Sequence, residues 1–239
     1  MPYFYYGFDW TYVVLVLPCV ILAMIASASV NSTFKRFSKQ ISSRRITGAE
    51  AAKRVLSANG VTNVRIERVT GKLTDHYDPK SNVIRLSEDV YDSASTAAIG
   101  VACHEAGHAV QYAENYGPIK LRAAIIPITN IGSRLAMPLI LLGILFNTLG
   151  TFSYSMIYLG IACFALSLVF QLVTLPVEFN ASRRAMSTID EAGLLTESEQ
   201  IGARKTLRAA AMTYVAAVAV SLAQLLRLVM LFGGRRSRD

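Results

Sequence analysis

Four long apolar runs constrain the fold of this chain more than any other feature of the sequence. Thr11 to Val30 contains no charged residue, and three further runs lie within residues 125–150, 156–175 and 209–232. A helix needs about 20 such residues to cross the hydrocarbon core of a bilayer. Because a bilayer offers no water to backbone N–H and C=O groups, each crossing segment must satisfy them internally, as a helix does. The sequence therefore predicts a mainly α membrane protein with a bundle of about four transmembrane helices.

The cations flank these runs unevenly, which predicts an orientation. Seven Lys and Arg side chains lie between Lys35 and Arg54, whereas residues 1–10 are aromatic and contain no Lys or Arg. Cytoplasmic flanks of membrane helices are the ones enriched in Lys and Arg. We therefore predict an outer N-terminus, an outer turn at Asn147–Ser155, and a cytoplasmic location for the basic flanks. The net charge of +8 then reflects topology and anionic lipid rather than a nucleic-acid partner.

These patterns divide the chain into five segments. Arg134 interrupts the second apolar run, so the membrane crossing of this run is predicted from Leu135 to Leu149. Whether the last run crosses the membrane fully is left open. The predicted segments are an N-terminal transmembrane anchor (1–30), a cytoplasmic lobe (31–124), two transmembrane helices (125–177), a second cytoplasmic segment (178–208), and a hydrophobic helix with a basic tail (209–239).

The cytoplasmic lobe combines helical and strand patterns. A capping box at Thr47 and Glu50 opens a helix, and an alternating stretch from Val61 to Val69 follows it. Leu73–Tyr77 and Asn82–Leu86 flank a turn and predict a β-hairpin, giving a small sheet of two or three strands. The backbone edge of this hairpin could bind an extended peptide. A purely structural hairpin is an equally weighted alternative.

Two of the three histidines in the chain stand four residues apart, at His104 and His108. On a helix, positions i and i+4 share one face, so both imidazoles can reach one metal ion. Two neutral histidines and a carboxylate suit Zn²⁺. Glu105 follows the first histidine, where its carboxylate can act as general base toward a metal-bound water. A helix that merely carries two histidines is the alternative.

The predicted boundaries of this helix are capping side chains around Ser95 and a stop at Gly117–Pro118. From Ala97 to Val110 the helix is apolar on nearly every side, and only the motif's side chains and nearby Gln111 are polar. Polar groups in such a setting are costly unless they have partners, and a metal would provide one. The three cysteines contain no Cys-x-x-Cys pair and are predicted to be buried, reduced thiols: Cys19, Cys103 and Cys163.

A third metal ligand is predicted at Glu178. The predicted topology returns this carboxylate to the membrane face that carries His104 and His108, and Pro176 favours a kink or a fresh helix start just before it. An ordinary charge at a helix start is the alternative for Glu178. His76 or Tyr77, from the hairpin, is a candidate donor to a developing oxyanion, although a histidine held by turn hydrogen bonds is the simpler interpretation.

Three stretches, Leu73–Tyr91, Ala97–Gln111 and Pro176–Ala185, resemble the YugP-type family of bacterial membrane zinc metallopeptidases, and the resemblance extends over nearly the whole chain. It implies one zinc per chain. The implied ligands are His104, His108 and Glu178, and the implied base is Glu105.

Residues 178–182 are more distantly similar to the Glu-Phe-x-Ala-Asp motif of HtpX-like membrane proteases, whose glutamate is the third zinc ligand. Ser182 occupies the position of the HtpX-like aspartate. Asn180 stands where the nearer family is expected to have an aspartate, so it is a candidate for supporting a ligand.

Together these features predict a zincin-like helix and a small β-hairpin sheet packed on the transmembrane bundle. The predicted function is a zinc-dependent endopeptidase in a bacterial cell membrane, multi-pass, with its active site on the cytoplasmic side and unfolded or membrane-associated proteins as substrates. A zinc hydrolase of a non-peptide amide or ester, and an inactive scaffold stabilised by zinc, are the alternatives. The oligomeric state stays open.

Overall fold

The computed structural model describes residues 9–146 and 150–233. Most of the predicted aromatic stretch at residues 1–10, the first three residues of the predicted turn at 147–155 and the basic tail after residue 233 lie outside the described residues. A π-helical turn, Tyr12–Val16, leads into the first of seven α-helices in the described part of the chain. The helices are α1 Leu17–Phe37, α2 Gly48–Ala58, α3 Glu88–Tyr91, α4 Thr96–Ala113, α5 Gly117–Leu145, α6 Thr151–Glu191 and α7 Glu197–Phe232.

The described residues form two compact units. One, the helical unit, comprises residues 9–25, 122–146, 150–173 and 214–233, and the other, the mixed unit, comprises residues 26–121 and 174–213. Within the described ranges, four helical segments are long and apolar enough to cross a membrane: Tyr12–Phe37, Gly117–Leu145, Thr151–Glu191 and Glu197–Phe232. The mixed unit contains a three-stranded sheet. The predicted class, a mainly helical membrane protein with a small sheet, is confirmed.

Small residues let α5 and α6 approach closely in the helical unit. A Cβ added to Gly143 would lie 2.8 Å from the carbonyl oxygen of Ser153, and one added to Gly160 would lie 2.8 Å from that of Ala136. The Ser153 hydroxyl also donates to the carbonyl oxygen of Gly143. Association of helices in lipid depends on such close packing and on hydrogen bonds. Lipid chains are as apolar as the side chains, so the hydrophobic effect does not drive the helices together.

Arg227, the one cationic residue within the apolar part of α7, forms an ion pair with Asp9. Arg227 donates to the Asp9 carboxylate through both Nε and a terminal nitrogen, the Nε contact being 2.9 Å. Its guanidinium also lies 5.5 Å from the centre of the Tyr12 ring. Charged side chains in apolar segments are costly unless paired in this way. The pair therefore ties the beginning of the chain to its last helix.

The sheet lies in the mixed unit and has the strand order β1–β3–β2, where β1 is Arg65–Val69, β2 is His76–Asp78 and β3 is Val83–Ser87. Strands β2 and β3 form the antiparallel hairpin expected from the sequence, with both strands displaced from their predicted bounds. Strand β1 adds to β3 in parallel on the other side.

This order shows which strand of the hairpin has a free backbone edge. That strand is β2, because β3 is the central strand, hydrogen-bonded on both sides. Its Val83, Ile84 and Leu86 are all fully buried, so the strand does not alternate between a buried and an open face. The backbone edges open to a further strand are those of β1 and β2.

The core of the mixed unit forms around α4. Helix α2 packs along α4, and its start carries the predicted capping box, in which the Glu50 carboxylate accepts from the Thr47 N–H at 2.9 Å. Apolar side chains of β3, α6 and α7 complete the same cluster. Its fully buried members include Val55, Ile84, Leu86, Ile99, Ala102, Cys103, Ala106, Ala185, Ile189 and Ala203.

One predicted helix boundary is wrong, and one of the two alternatives predicted at Pro176 is excluded. Helix α4 ends at Ala113, and the turn is made by Asn115 at φ 57°, whereas Gly117–Pro118 opens α5. Proline suits a first helical turn because the N–H that it lacks would have no helical partner there. Pro176 does not start a helix either, since α6 continues through it to Glu191.

Packing explains why α6 tolerates its internal proline. Four side chains beyond Pro176 recur at every fourth position and are completely buried: Val177, Ala181, Ala185 and Ile189. A proline inside a helix costs about 3 kcal/mol. Burial of this continuous stripe offsets the cost, so the helix continues beyond the proline and includes Glu178.

Candidate metal centre

Helix α4 places two imidazoles side by side in the mixed unit. The Ser95 hydroxyl caps the helix by accepting from the Ala98 N–H at 3.3 Å, and nearly all of the helix is buried. His104 and His108 follow one turn apart, with ring centres separated by 4.7 Å and planes inclined by 81°. Their exposure is small, so the two rings form one wall of a shielded site.

Helix α6 brings a carboxylate to these rings. Oε2 of Glu178 lies 3.3 Å from Nε2 of His104 and 3.5 Å from Nε2 of His108. Potential ligand atoms of the three side chains all lie within 4.8 Å of one another. Among the described residues, this is the one group of three or more His, Cys, Asp and Glu side chains close enough to hold a metal ion. Two imidazole nitrogens and one carboxylate oxygen form the donor set that zinc takes in hydrolytic sites.

The close approach of α4 and α6 depends on Gly107. A Cβ at this position would lie 2.8 Å from the carbonyl oxygen of Ala181, a contact that no side chain could make without displacing the backbone. Gly107 directly precedes His108, and Ala181 lies one turn beyond Glu178. The missing side chain therefore sets the distance between the carboxylate and the imidazoles.

A buried glutamine orients His108. Nε2 of Gln111 donates to the Val177 carbonyl oxygen at 2.8 Å and to Oδ1 of Asn180 at 2.9 Å. Its Oε1 is therefore the acceptor at the other end, and Nδ1 of His108, 2.9 Å away, must be the donor. This tautomer leaves the lone pair of Nε2 directed toward Glu178. Fixing a ligand histidine through its other nitrogen is a general property of metal sites.

The network continues beyond Asn180. Its Oδ1 also accepts from Nε of Arg184 at 2.7 Å, and Arg184 forms an ion pair with Glu114 at 2.7 Å. Ser182 takes the corresponding place beside the other ring, with Oγ 3.1 Å from Nδ1 of His104. Each imidazole thus has a fixed partner on the side away from Glu178.

The electrostatics of the site favour a cation. Burial lowers the pKa of His108, but hydrogen bonding to Glu178 and the nearby charge of Glu105 outweigh burial, and the net pKa is raised. A raised pKa means that positive charge is stabilised at this imidazole despite the loss of water. The same surroundings fit a divalent metal held by His104, His108 and Glu178.

Glu105 lies on the same helix but outside the three-donor group. It is almost completely buried and close enough to His108 to raise the pKa of that ring. It is also close enough to influence Asp75, whose pKa is raised first by burial and further by the charge of Glu105. The Asp75 carboxylate accepts from the backbone N–H of Ser87 at 2.7 Å, which anchors the start of the hairpin beside Glu105.

The remaining predicted site residues have other contacts in the structure. His76 is exposed, and its Nδ1 lies 2.7 Å from the carbonyl oxygen of Thr74. Tyr77 donates from its hydroxyl to Oδ1 of Asn82 at 2.6 Å, and its ring packs against Tyr112 of α4. Donation to an oxyanion by either residue stays a prediction. The cysteines are free, and Cys103 lies in the core, where burial raises its pKa.

Sequence reasoning assigned no role to Gln111, Arg184 or Glu114. The signal for Gln111 was present, since it directly follows the apolar stretch from Ala97 to Val110 and stands three residues after His108. Arg184 and Glu114 gave no such signal, because each belongs to a segment where charges are ordinary. Their relation to the site depends on how α6 packs against α4.

Known proteins similar to this chain are described as zinc peptidases or membrane proteases. A family described as "Putative neutral zinc metallopeptidase" matches residues 12–233. The chain is 47% identical over 228 residues to a protein of Bacillus subtilis (strain 168) described as "Putative membrane protease YugP", and the alignment covers 95% of this chain and 99% of that relative. No solved structure matches the chain. Because the family match includes both histidines, the carboxylate and all four candidate spans, the chain belongs to this family of neutral zinc metallopeptidases.

Proposed function

We propose that this membrane protein is a zinc-dependent endopeptidase, with one zinc per chain held by His104, His108 and Glu178. The observation that carries the proposal is the convergence of their ligand atoms within 4.8 Å. Gln111 and Ser182 support it by holding the far nitrogens of both rings. A site that served structure alone would usually have a fourth protein ligand, whereas three ligands leave a position for chemistry.

Glu105 is the proposed general base. Zinc bound at this set would supply Lewis-acid activation of water and of the scissile carbonyl. The Glu105 carboxylate accepts a proton from the attacking water as the oxygen bonds to the carbonyl carbon. It then returns that proton to the nitrogen of the leaving amine as the C–N bond breaks.

The proposed substrates are extended, unfolded or membrane-associated chains. The start of β2, an edge strand, is held near Glu105 through Asp75. An edge strand binds a peptide through its backbone, which selects for extended conformation more than for side-chain identity. The seven cations between Lys35 and Arg54 favour a cytoplasmic position for this site.

The test is Glu105→Gln in purified, reconstituted protein, with Asp89→Asn as the matched control because Asp89 is an exposed carboxylate distant in sequence from the motif. We expect Glu105→Gln to retain its zinc and lose hydrolysis of an unstructured casein-like chain. Asp89→Asn should change neither property. Full hydrolysis by Glu105→Gln would exclude this base.

The same assays separate the other two functions. Cleavage of lipid-derived esters or amides without cleavage of any peptide would favour a non-peptide hydrolase. A zinc-loaded wild-type protein that hydrolyses none of these substrates, and that unfolds when zinc is removed, would favour the scaffold.

A further inference from the structure

A groove of about 650 Å³ lies between the second part of α6 and the first part of α7, within the mixed unit. It contains three guanidinium groups, from Arg183, Arg204 and Arg208. Among the described residues none of the three forms an ion pair, although Arg184, next to Arg183, does. The groove is thus a cationic site separate from the Glu178–His104–His108 group.

The register of the two helices determines the positions of the lining side chains along this groove. Nε2 of Gln200 donates to Oδ1 of Asp190 at 2.9 Å, which closes one end. The helices are antiparallel, and each advances about 1.5 Å per residue from that contact. Arg183 and Arg208 therefore lie at a similar level, about 10–12 Å from the closed end.

The opposite end of the groove is apolar. It is lined by Phe179 and Met212, both substantially exposed, with Ala211 between them. This end is the one nearest in the chain to the apolar runs, because that of α6 finishes at Leu175 and that of α7 begins at Ala209. Along the groove, an apolar mouth thus leads to guanidinium groups and then to a polar end closed by Gln200 and the Asp190 carboxylate.

We infer that this groove binds the headgroup of an anionic phospholipid, with the phosphate at Arg183 and Arg208 and the acyl chains leaving between Phe179 and Met212. A phospholipid presents the same sequence of apolar chain, anionic phosphate and polar headgroup. Arginine suits the phosphate because its guanidinium offers a planar set of donors. An acidic peptide would match the cations but would leave the apolar mouth without a partner.

The lipid would share a wall with the metal centre. Ser182 lines the groove and its Oγ lies 3.1 Å from Nδ1 of His104. The groove is open on the far side of this ring from Glu178, so a lipid there does not compete for the metal position. Lipid binding therefore requires no peptidase activity and is measurable without it.

To test this inference, phosphatidylglycerol or phosphatidylcholine is added to the full chain in a non-ionic detergent. Native mass spectrometry then measures how many lipid molecules each sample retains. We expect one tightly retained phosphatidylglycerol and no retained phosphatidylcholine. Arg208→Gln should weaken phosphatidylglycerol binding about fivefold, since one cation near an anionic surface contributes about 1 kcal/mol. Lys205→Gln, an equal loss of charge on the same helix but outside the groove, should leave binding unchanged.

Three results would overturn the inference. Equal weakening by Lys205→Gln would reduce it to general electrostatic attraction, and equal retention of both lipids would remove the role of the guanidinium groups. Binding of glycerophosphate or an acidic peptide as tight as that of phosphatidylglycerol would show that the apolar mouth contributes nothing.

Discussion

At the scale of single residues, the assignment that most needs a direct test is Glu178. We expect His104→Ala and Glu178→Ala to lose most of the bound zinc, because each removes one of only three protein donors. Asp190→Ala, which removes another carboxylate of the same helix about 18 Å along its axis at about 1.5 Å per residue, should retain it. Elemental analysis of the purified proteins measures the ratio of zinc to chain. Full zinc in Glu178→Ala together with loss in Asp190→Ala would reassign the third ligand.

Gln111 permits a second test that leaves every proposed ligand in place. Gln111→Ala removes the acceptor for Nδ1 of His108 and frees the ring to rotate, so zinc affinity should fall by about 10–100-fold. Gln200→Ala is the control, since Gln200 is also a buried, hydrogen-bonded glutamine but contacts Asp190 instead. Competition with a chromogenic chelator gives the affinity of each variant. Equal losses in both variants would mean that Gln111 stabilises the fold without orienting the ligand.

At the scale of helices and strands, local signals were sufficient where local chemistry decides the structure. The capping box at Thr47 and Glu50 formed as predicted, and so did the cap at Ser95, because both depend on hydrogen bonds within a few residues. The spacing of His104 and His108 likewise determines that they share a helix face. For these features the sequence contains the whole physical cause.

Features that depend on packing between distant segments were mispredicted or missed. Pro176 is a helix-breaking signal by itself, and only the buried stripe that follows it explains why α6 continues. Gly117–Pro118 is compatible with either a helix end or a helix start, and the left-handed conformation of Asn115 decided which one. The parallel pairing of β1 with β3 joins segments on either side of β2 in the sequence, so no local sequence pattern predicts it.

Gly107 offers a test at this scale. Gly107→Ala should push α6 away from α4, because its Cβ would lie 2.8 Å from the Ala181 carbonyl oxygen. We expect a destabilisation of about 1–3 kcal/mol and weaker zinc binding. Gly117→Ala is the matched control, since nothing lies within 4 Å of its added Cβ and alanine favours a helix. Thermal unfolding and chelator competition measure the two effects, and unchanged behaviour of Gly107→Ala would contradict the tight packing.

At the scale of the whole molecule, the proposed orientation predicts which positions are accessible from outside the cell. A cysteine introduced at Thr151 should react with a membrane-impermeant maleimide added to intact cells, and one introduced at Lys39 should not. The reason is the concentration of Lys and Arg after the first span. The unmodified chain gives the background from its three native cysteines. Labelling at Lys39 but not at Thr151 would reverse the orientation and place the metal centre outside.

The order of the three donors along the chain also determines when the site can exist during synthesis. His104 and His108 emerge from the ribosome first, and Glu178 follows only after α5 and the apolar part of α6. At about 5–20 residues per second, the intervening stretch takes roughly 4–14 seconds to make. A nascent chain therefore has only two of the three candidate donors until α5 and most of α6 have been made. The proposed hydrolytic centre lacks its third ligand during that interval.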